Sequence, residues 1–316
     1  MSQSRVIDIT KGIGMIVTDL HGNGDIYSKY RDLFMRLYKE RKVDYLIFCG
    51  DLVHSYDKDS ADYSLEIIND IIELTKIYDS ETIIPLLGNH ELVHIYGVPL
   101  VRDGKGCSQH FESNLANSGT ENMKKILSFI DSMPFYIRTK AGVMITHAGA
   151  HSHAYTEKSK ELLSNFSHQS IIENVEKYME ECGGKEFMLQ NFQKGLKENY
   201  DILAKYYFSA TEPNDPRYYY FMRSQLIFEN QAFSTLWDAI FSANESEFRD
   251  FYEQVLIKFL DVWSKGAPEK QSFLVTGHIK VENGYKIISN RQLRIASYAH
   301  SIPHESGKYM LLDFEK

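Results

Sequence analysis

Five short polar motifs, each following an apolar run, carry side chains able to hold metal ions. They are Asp19-Leu20-His21-Gly22, Gly50-Asp51-Leu52-Val53-His54, Gly88-Asn89-His90-Glu91, Thr146-His147-Ala148-Gly149 and Gly277-His278. Hard or borderline divalent ions bind carboxylate oxygen and imidazole nitrogen. Two such ions about 3.5–4 Å apart share a bridging ligand. Asp19 and His21 lie two residues apart, so a chain leaving a strand can turn both toward one ion. Asp51 follows a neighbouring run and can bridge. Asn89 offers a carbonyl oxygen to the second ion, beside His147 and His278. Taken singly, Asp19 or Asn89 could cap a helix, His147 could be a core histidine and His278 a loop histidine. The joint pattern overturns those readings. His94, His110, His151, His153, His168, His300 and His304 lack such support and read as surface or loop residues, with His151 and His153, nearest the site in sequence, the first exceptions to expect.

The elements around the motifs alternate. Residues 13–18, 45–49 and 82–87 read as strands, and 26–41 and 64–78 as helices, a βαβαβ pattern with parallel strands. The polar residues cluster after the strands, where open α/β sheets bind ligands. Residues 135–139 and 142–146 read as a hairpin around Lys140 and Ala141. The stretch 155–265 is helix-periodic, broken at 211–216 by two prolines. Strand-like runs return at 272–276, 285–288, 293–296 and 309–314. The expectation is an α/β fold: two mixed β-sheets in a sandwich flanked by helices. Residues 1–150 and 272–316 form its core, and 151–271 a large helical insertion or cap.

The 316 residues, 43% of them apolar, suffice for such a core. A formal charge of −8 argues against general nucleic-acid binding, although a local basic groove stays open. Cys49, Cys107 and Cys182 are odd in number with no CxxC spacing, which suits a reducing compartment. The first eleven residues hold no apolar signal core, and no run approaches the ~18 apolar residues of a membrane span. The expected location is the cytoplasm.

The five motifs, in this order, resemble those of the calcineurin-like metallophosphoesterase superfamily over residues 14–150 and 272–314. The D-x-H-G, G-N-H-E and H-A-G forms look most like its phosphoprotein phosphatase branch, which acts on phosphoserine and phosphothreonine and has diadenosine tetraphosphatases among its bacterial relatives. The resemblance implies two divalent ions, manganese first, with iron or zinc as alternatives. It also implies hydrolysis by a metal-activated water, with His90 as general acid to the leaving alkoxide.

One motif departs from that branch. Where the branch has G-D-x-V-D-R-G, this chain has His54 for the aspartate that orients the catalytic histidine and Ser55 for the phosphate-binding arginine. His54 could itself stand beside His90, or Glu91 or Asp57 could supply the orienting carboxylate. The G-D-L-V-H form looks instead like repair nucleases and phosphodiesterases of the superfamily. Those usually end in G-H-x-H, whereas here Lys280 follows Ile279. Leu236-Trp237-Asp238 resembles the branch's leucine-tryptophan motif, and Arg217, Arg223 and Arg249 are candidates for the displaced phosphate cation. The leading expectation is hydrolysis of a phosphomonoester, on a phosphorylated protein or a small phosphoester. The rivals are a phosphodiesterase or nucleotide pyrophosphohydrolase, and a metal-binding interaction module without turnover. Six ligands retained together with His90 argue against the last.

Overall fold

The computed structural model describes residues 4–55, 61–79, 81–102, 105–241 and 245–316. The first part of the chain gives β1 (Val6–Ile9), β2 (Ile13–Val17), α1 (Gly24–Lys39), β3 (Tyr45–Phe48), α2 (Ser64–Ile77), β4 (Ile83–Pro85) and α3 (Asn89–Tyr96). A short hairpin of β5 (Val101–Arg102) and β6 (Lys105–Gly106) leads to α4 (Gln109–Asn117), α5 (Thr120–Ser132), β7 (Tyr136–Thr139) and β8 (Val143–Thr146). Then come α6 (Glu157–Ser164), α7 (His168–Glu181), α8 (Gly184–Leu196), α9 (Glu198–Phe208), α10 (Pro216–Glu229), α11 (Gln231–Phe241), α12 (Glu245–Phe248) and α13 (Tyr252–Ser264). The chain closes with β9 (Phe273–Thr276), β10 (Val281–Glu282), β11 (Tyr285–Ser289), β12 (Gln292–Ile295), β13 (Ser301–Ile302) and β14 (Met310–Asp313).

Two mixed sheets carry the fold. One runs β14-β2-β3-β4, with β2, β3 and β4 parallel and β14 antiparallel at its edge. The other runs β1-β7-β8-β9-β12-β11. Strand alternation explains how they stack. Ile16, Ile47 and Ile84 lie in register on one sheet, and Ile137, Ile145 and Val275 on the other. These six meet in one buried cluster with Ile9, Cys49, Leu86, Ile295 and Phe314. The opposite face of the first sheet, with Met15, Val17, Leu46, Phe48 and Ile83, belongs to a larger cluster shared with the helices. Phe34, Ile67, Ile68 and Ile71 enter it from α1 and α2.

The helices α6 to α13 all lie between β8 and β9 in the chain, as the long periodic stretch suggests. Trp263 helps fix their last member. It is fully buried, donates its indole N–H to the Ala154 carbonyl at 2.9 Å, and packs on Tyr136 of β7. Two features escape the sequence expectation. β1 is a half-buried edge strand paired in parallel with β7, too short to stand out. Helices α3, α4 and α5 fill the stretch between the third and fourth motifs. Among the described residues, no helix is long and apolar enough to cross a membrane. The three cysteines are thiols rather than disulfide partners, with Cys49 buried.

One side chain ties the motif loops together. Glu91, in the first turn of α3, is fully buried. One carboxylate oxygen accepts from the backbone N–H of Leu52 (2.7 Å) and Val53 (3.1 Å). The other accepts from Asp51 (3.0 Å) and Gly88 (3.1 Å). Burial and the nearby Asp51 push its carboxyl up to about 7, while the Leu52 and Val53 donors act against this. The second and third motifs thus share one anchor. We predict that Glu91→Gln destabilises the chain by about 2–6 kcal/mol, because the new amide NH₂ faces two backbone donors and each is left without an acceptor at about 1–3 kcal/mol. Urea unfolding measures this, and an unchanged midpoint would remove Glu91 from the role of anchor.

Candidate metal centre

The parallel register aligns the ends of β2, β3 and β4, with Val17 beside Phe48 and Phe48 beside Pro85. The chain then releases Asp19 and His21, Asp51, and Asn89 side by side. β8 and β9, parallel in the other sheet, release His147 and His278 toward the same point. The turns are tight. Asp19, His21, Asp51, His54 and His278 all take left-handed backbone angles, with φ between 46° and 73°. Non-glycine residues held there carry strain, which concentrates at functional sites. Close approach also demands glycine. A Cβ on Gly88 would sit 2.4 Å from the Asp51 nitrogen and 2.5 Å from its Oδ1.

All six expected ligands converge. Asp51 lies between two histidines, with Oδ2 3.7 Å from His21 Nε2 and Oδ1 3.4 Å from His147 Nε2. Donor atoms of Asp51, His147 and His278 lie within 4.8 Å of one another, as do those of His21, Asp51 and His90. The His278 backbone N–H donates to both oxygens of Asp19 at 3.1 Å. Neither Asp19 nor Asn89 is a helix cap: Asn23 caps α1 through its side chain, and Gly88 precedes α3.

The ring nitrogens fix which lone pairs face the cluster. His147 Nδ1 donates to the Cys49 carbonyl at 2.7 Å, and His21 Nδ1 to the His54 carbonyl at 3.2 Å. His278 Nε2 donates to the Phe241 carbonyl at 3.1 Å. A carbonyl only accepts, so each ring turns its other nitrogen inward, as metal-ligating histidines do. One terminal atom of the Asn89 amide stands 3.0 Å from His147 Nε2, 3.1 Å from His278 Nδ1, and 3.1 and 3.2 Å from the two oxygens of Asp51. As nitrogen, it has two hydrogens for four acceptors. As oxygen, it adds a further acceptor to the same point, which positive charge resolves. Two divalent ions therefore fit this donor set.

The electrostatics agree. Burial works to push Asp19 up, but His300 beside it holds the carboxyl at about 2. Burial likewise acts on Asp51, and His147 and His90 hold it well below the usual carboxylate range. Burial would lower His147, yet Asp51 and Asp19 raise it to about 9. The pocket draws positive charge.

His90 sits behind this cluster, its ring 4.5 Å from that of His21. Its Nδ1 is 2.8 Å from His54 Nδ1, and His54 Nε2 is 2.7 Å from His94 Nε2. His94 Nδ1 faces Glu112 of α4 at 3.7 Å. Burial pushes His54 well below its ordinary range and His94 down to about 3, so both rings are neutral. The side chain beside His90 is thus His54. Glu91 is committed to backbone donors, and Asp57 lies outside the described residues.

Several sequence expectations need correction. His94 and His168 are buried on α3 and α7, neither surface nor loop residues, and His151 is a loop residue but a buried one. His94 is one helical turn from His90, a spacing that the sequence already contains. His168 donates to or accepts from the Tyr96 hydroxyl at 2.8 Å in the apolar core. His151 Nδ1 accepts the His153 backbone N–H, so its Nε2 carries the proton toward Glu247 and offers no lone pair. With His153 on Asp238 it forms a polar tie. His300, read as a loop residue, stands 2.9 Å from Asp19. Of the arginine candidates, Arg217 is paired with Asp215 and Arg223 donates to the Tyr96 carbonyl, while Arg249 is exposed. Lys280 is exposed.

The signature of the calcineurin-like phosphoesterases matches residues 15–177, about half of the chain. No curated protein matches the sequence. Among solved structures, a mutant of a cold-active protein tyrosine phosphatase is similar at 13% identity, covering 98% of this chain and 78% of the other with a TM-score of 0.54. A protein serine/threonine phosphatase from Saccharomyces cerevisiae is similar at 11% identity, covering 99% and 84% with a TM-score of 0.48. The first of these likenesses establishes a shared fold. The match spans four of the five motifs, and with it the chain belongs to the calcineurin-like phosphoesterase family and is a metal-dependent phosphoesterase.

Proposed function

We propose that this phosphoesterase hydrolyses phosphomonoesters, with phosphoserine or phosphothreonine on a protein as the leading substrate class. In this reading Asp19, His21 and Asp51 hold one divalent ion, and Asp51, Asn89, His147 and His278 hold the other. The observation that carries it is Asp51, whose two oxygens face His21 on one side and His147 on the other. The family resemblance puts manganese first, with iron or zinc as alternatives. When bound, the ions supply an activated water and neutralise the phosphoryl oxygens. Residues 1–150 and 272–316 act as the catalytic core, and 151–271 as a helical cap over it. The cytoplasm is the expected location.

His90 is the general acid in this mechanism, and His54 its positioning partner. The 2.8 Å contact between their Nδ1 atoms supports this. A neutral imidazole has one N–H and one lone pair. With both nitrogens of His54 engaged, it accepts from His90 Nδ1–H and passes its own Nε2–H to His94. Holding Nδ1–H toward His54, His90 as an imidazolium would carry its second proton on Nε2, and that proton would pass to the leaving oxygen as the ring returns to neutral. His94 in turn points Nδ1–H toward Glu112, so a carboxylate ends the chain two rings away from His90. The second reading, a phosphodiesterase, is favoured by the same feature. A neutral His54 followed by Ser55 lacks the bidentate guanidinium clamp that the branch's arginine offers a dianion.

Chelation followed by added Mn²⁺ tests the reading directly: activity on p-nitrophenyl phosphate and a phosphopeptide should vanish and return. We predict that His90→Ala retains both ions and lowers turnover by ~10²–10⁴, with a smaller loss for leaving groups that need no proton. An emptied metal site in that variant would rule out the assigned role. The paired change His54→Asp with Ser55→Arg adds a bidentate clamp for a dianion. It should raise the ratio of monoester to diester kcat/KM on p-nitrophenyl phosphate and bis-p-nitrophenyl phosphate. An unchanged ratio in a folded, metal-loaded variant would show that this motif does not set the charge preference.

A further inference from the structure

His300 belongs to none of the five motifs, yet it stands at the metal centre. It directly precedes β13, which pairs in parallel with β10. Its backbone carbonyl accepts from Val281 N–H at 2.8 Å, and the neighbouring Ala299 N–H donates to the Asp19 carbonyl at 3.1 Å. Ser297, earlier in the same loop, takes the Thr18 N–H on its hydroxyl at 2.9 Å. The loop is therefore fastened to the end of β2, the strand that delivers Asp19 and His21. Its position is built by the fold.

The side chain of His300 is only 12% exposed, and its Nδ1 lies 2.9 Å from Asp19 Oδ1. Its ring is 5.0 Å from that of His21. Donor atoms of Asp19, His21 and His300 lie within 4.8 Å of one another. Two ligands bound about 2.1 Å from one ion stand about 3.0 Å apart at right angles and about 3.4 Å apart at tetrahedral angles. The spacing of His300 from Asp19 is of that size, as is the 3.4 Å between His147 and Asp51.

Resting on the paired-ion reading above, we infer that His300 is a ligand of the first ion, beside Asp19, His21 and Asp51. Without it, that ion has three protein ligands while its neighbour has four: Asp51, Asn89, His147 and His278. With it, each ion has four. The added imidazole also changes the chemistry. Two imidazoles on the first ion favour cobalt, iron or zinc over manganese more than a single one would. The competing role for His300 is a hydrogen bond that merely orients Asp19.

Co²⁺ is the probe that separates these roles, because its visible absorption responds to the donors bound to it. Wild type is expected to bind two Co²⁺ ions per chain. His300→Ala should weaken one of the two by ~10²-fold or more and shift the absorption of that site when it is filled at high Co²⁺. The same variant should lose less affinity for Mn²⁺. His300→Gln retains an N–H for Asp19 and should fail to restore either the affinity or the spectrum. Restoration by glutamine, or two unchanged Co²⁺ sites in the alanine variant, would overturn the assignment and leave the paired-ion reading standing. Fewer than two Co²⁺ ions in wild type would overturn both.

Discussion

Two carboxylates, Asp19 and Asp51, are sealed from solvent at 0% and 1% exposure, and the arrangement of the site follows from their compensation. A buried carboxylate survives only when paired or hydrogen-bonded. The backbone supplies part of the answer: His278 N–H donates to Asp19, and His90 N–H to Asp51 Oδ1 at 3.0 Å. Imidazoles supply the rest around them: His21 and His278 hold their outer nitrogens on backbone carbonyls and turn the other inward, and His147 is raised to about 9 by Asp51 and Asp19. The protein alone therefore leaves a concentration of acceptors at one point. Two divalent cations would complete it, and would supply there the charge that binds a phosphoryl group.

Delivering those ligands requires both sheets. One sheet brings Asp19, His21, Asp51 and Asn89 at adjacent parallel strand ends, and the other brings His147 and His278. The sandwich core, mostly isoleucine, sets the distance between the two groups. Close packing holds the left-handed turns in place, since an isolated chain would relax them. Glu91 binds two of the loops to each other through four backbone N–H groups.

The motifs were legible because each pairs a candidate ligand with a neighbouring glycine, directly after an apolar strand. The same is true of the βαβαβ half, where strand and helix periods alternate cleanly. His300 was not legible. It reaches Asp19 through a loop fastened to β2, and nothing in the neighbouring sequence records that contact. His94 lay between these cases: its spacing from His90 put both on one helical face, but only the fold shows His54 bridging them. β1 was missed because a four-residue edge strand with half-buried side chains has little pattern to read.

The central claim is that Asp51 bridges two ions, and anomalous diffraction from crystals grown with Mn²⁺ tests it most directly. The account predicts two peaks about 3.5–4 Å apart, one on the His21 side of Asp51 and one on the His147 side. A single peak at full Mn²⁺ occupancy, or a pair of peaks out of reach of Asp51, would contradict it.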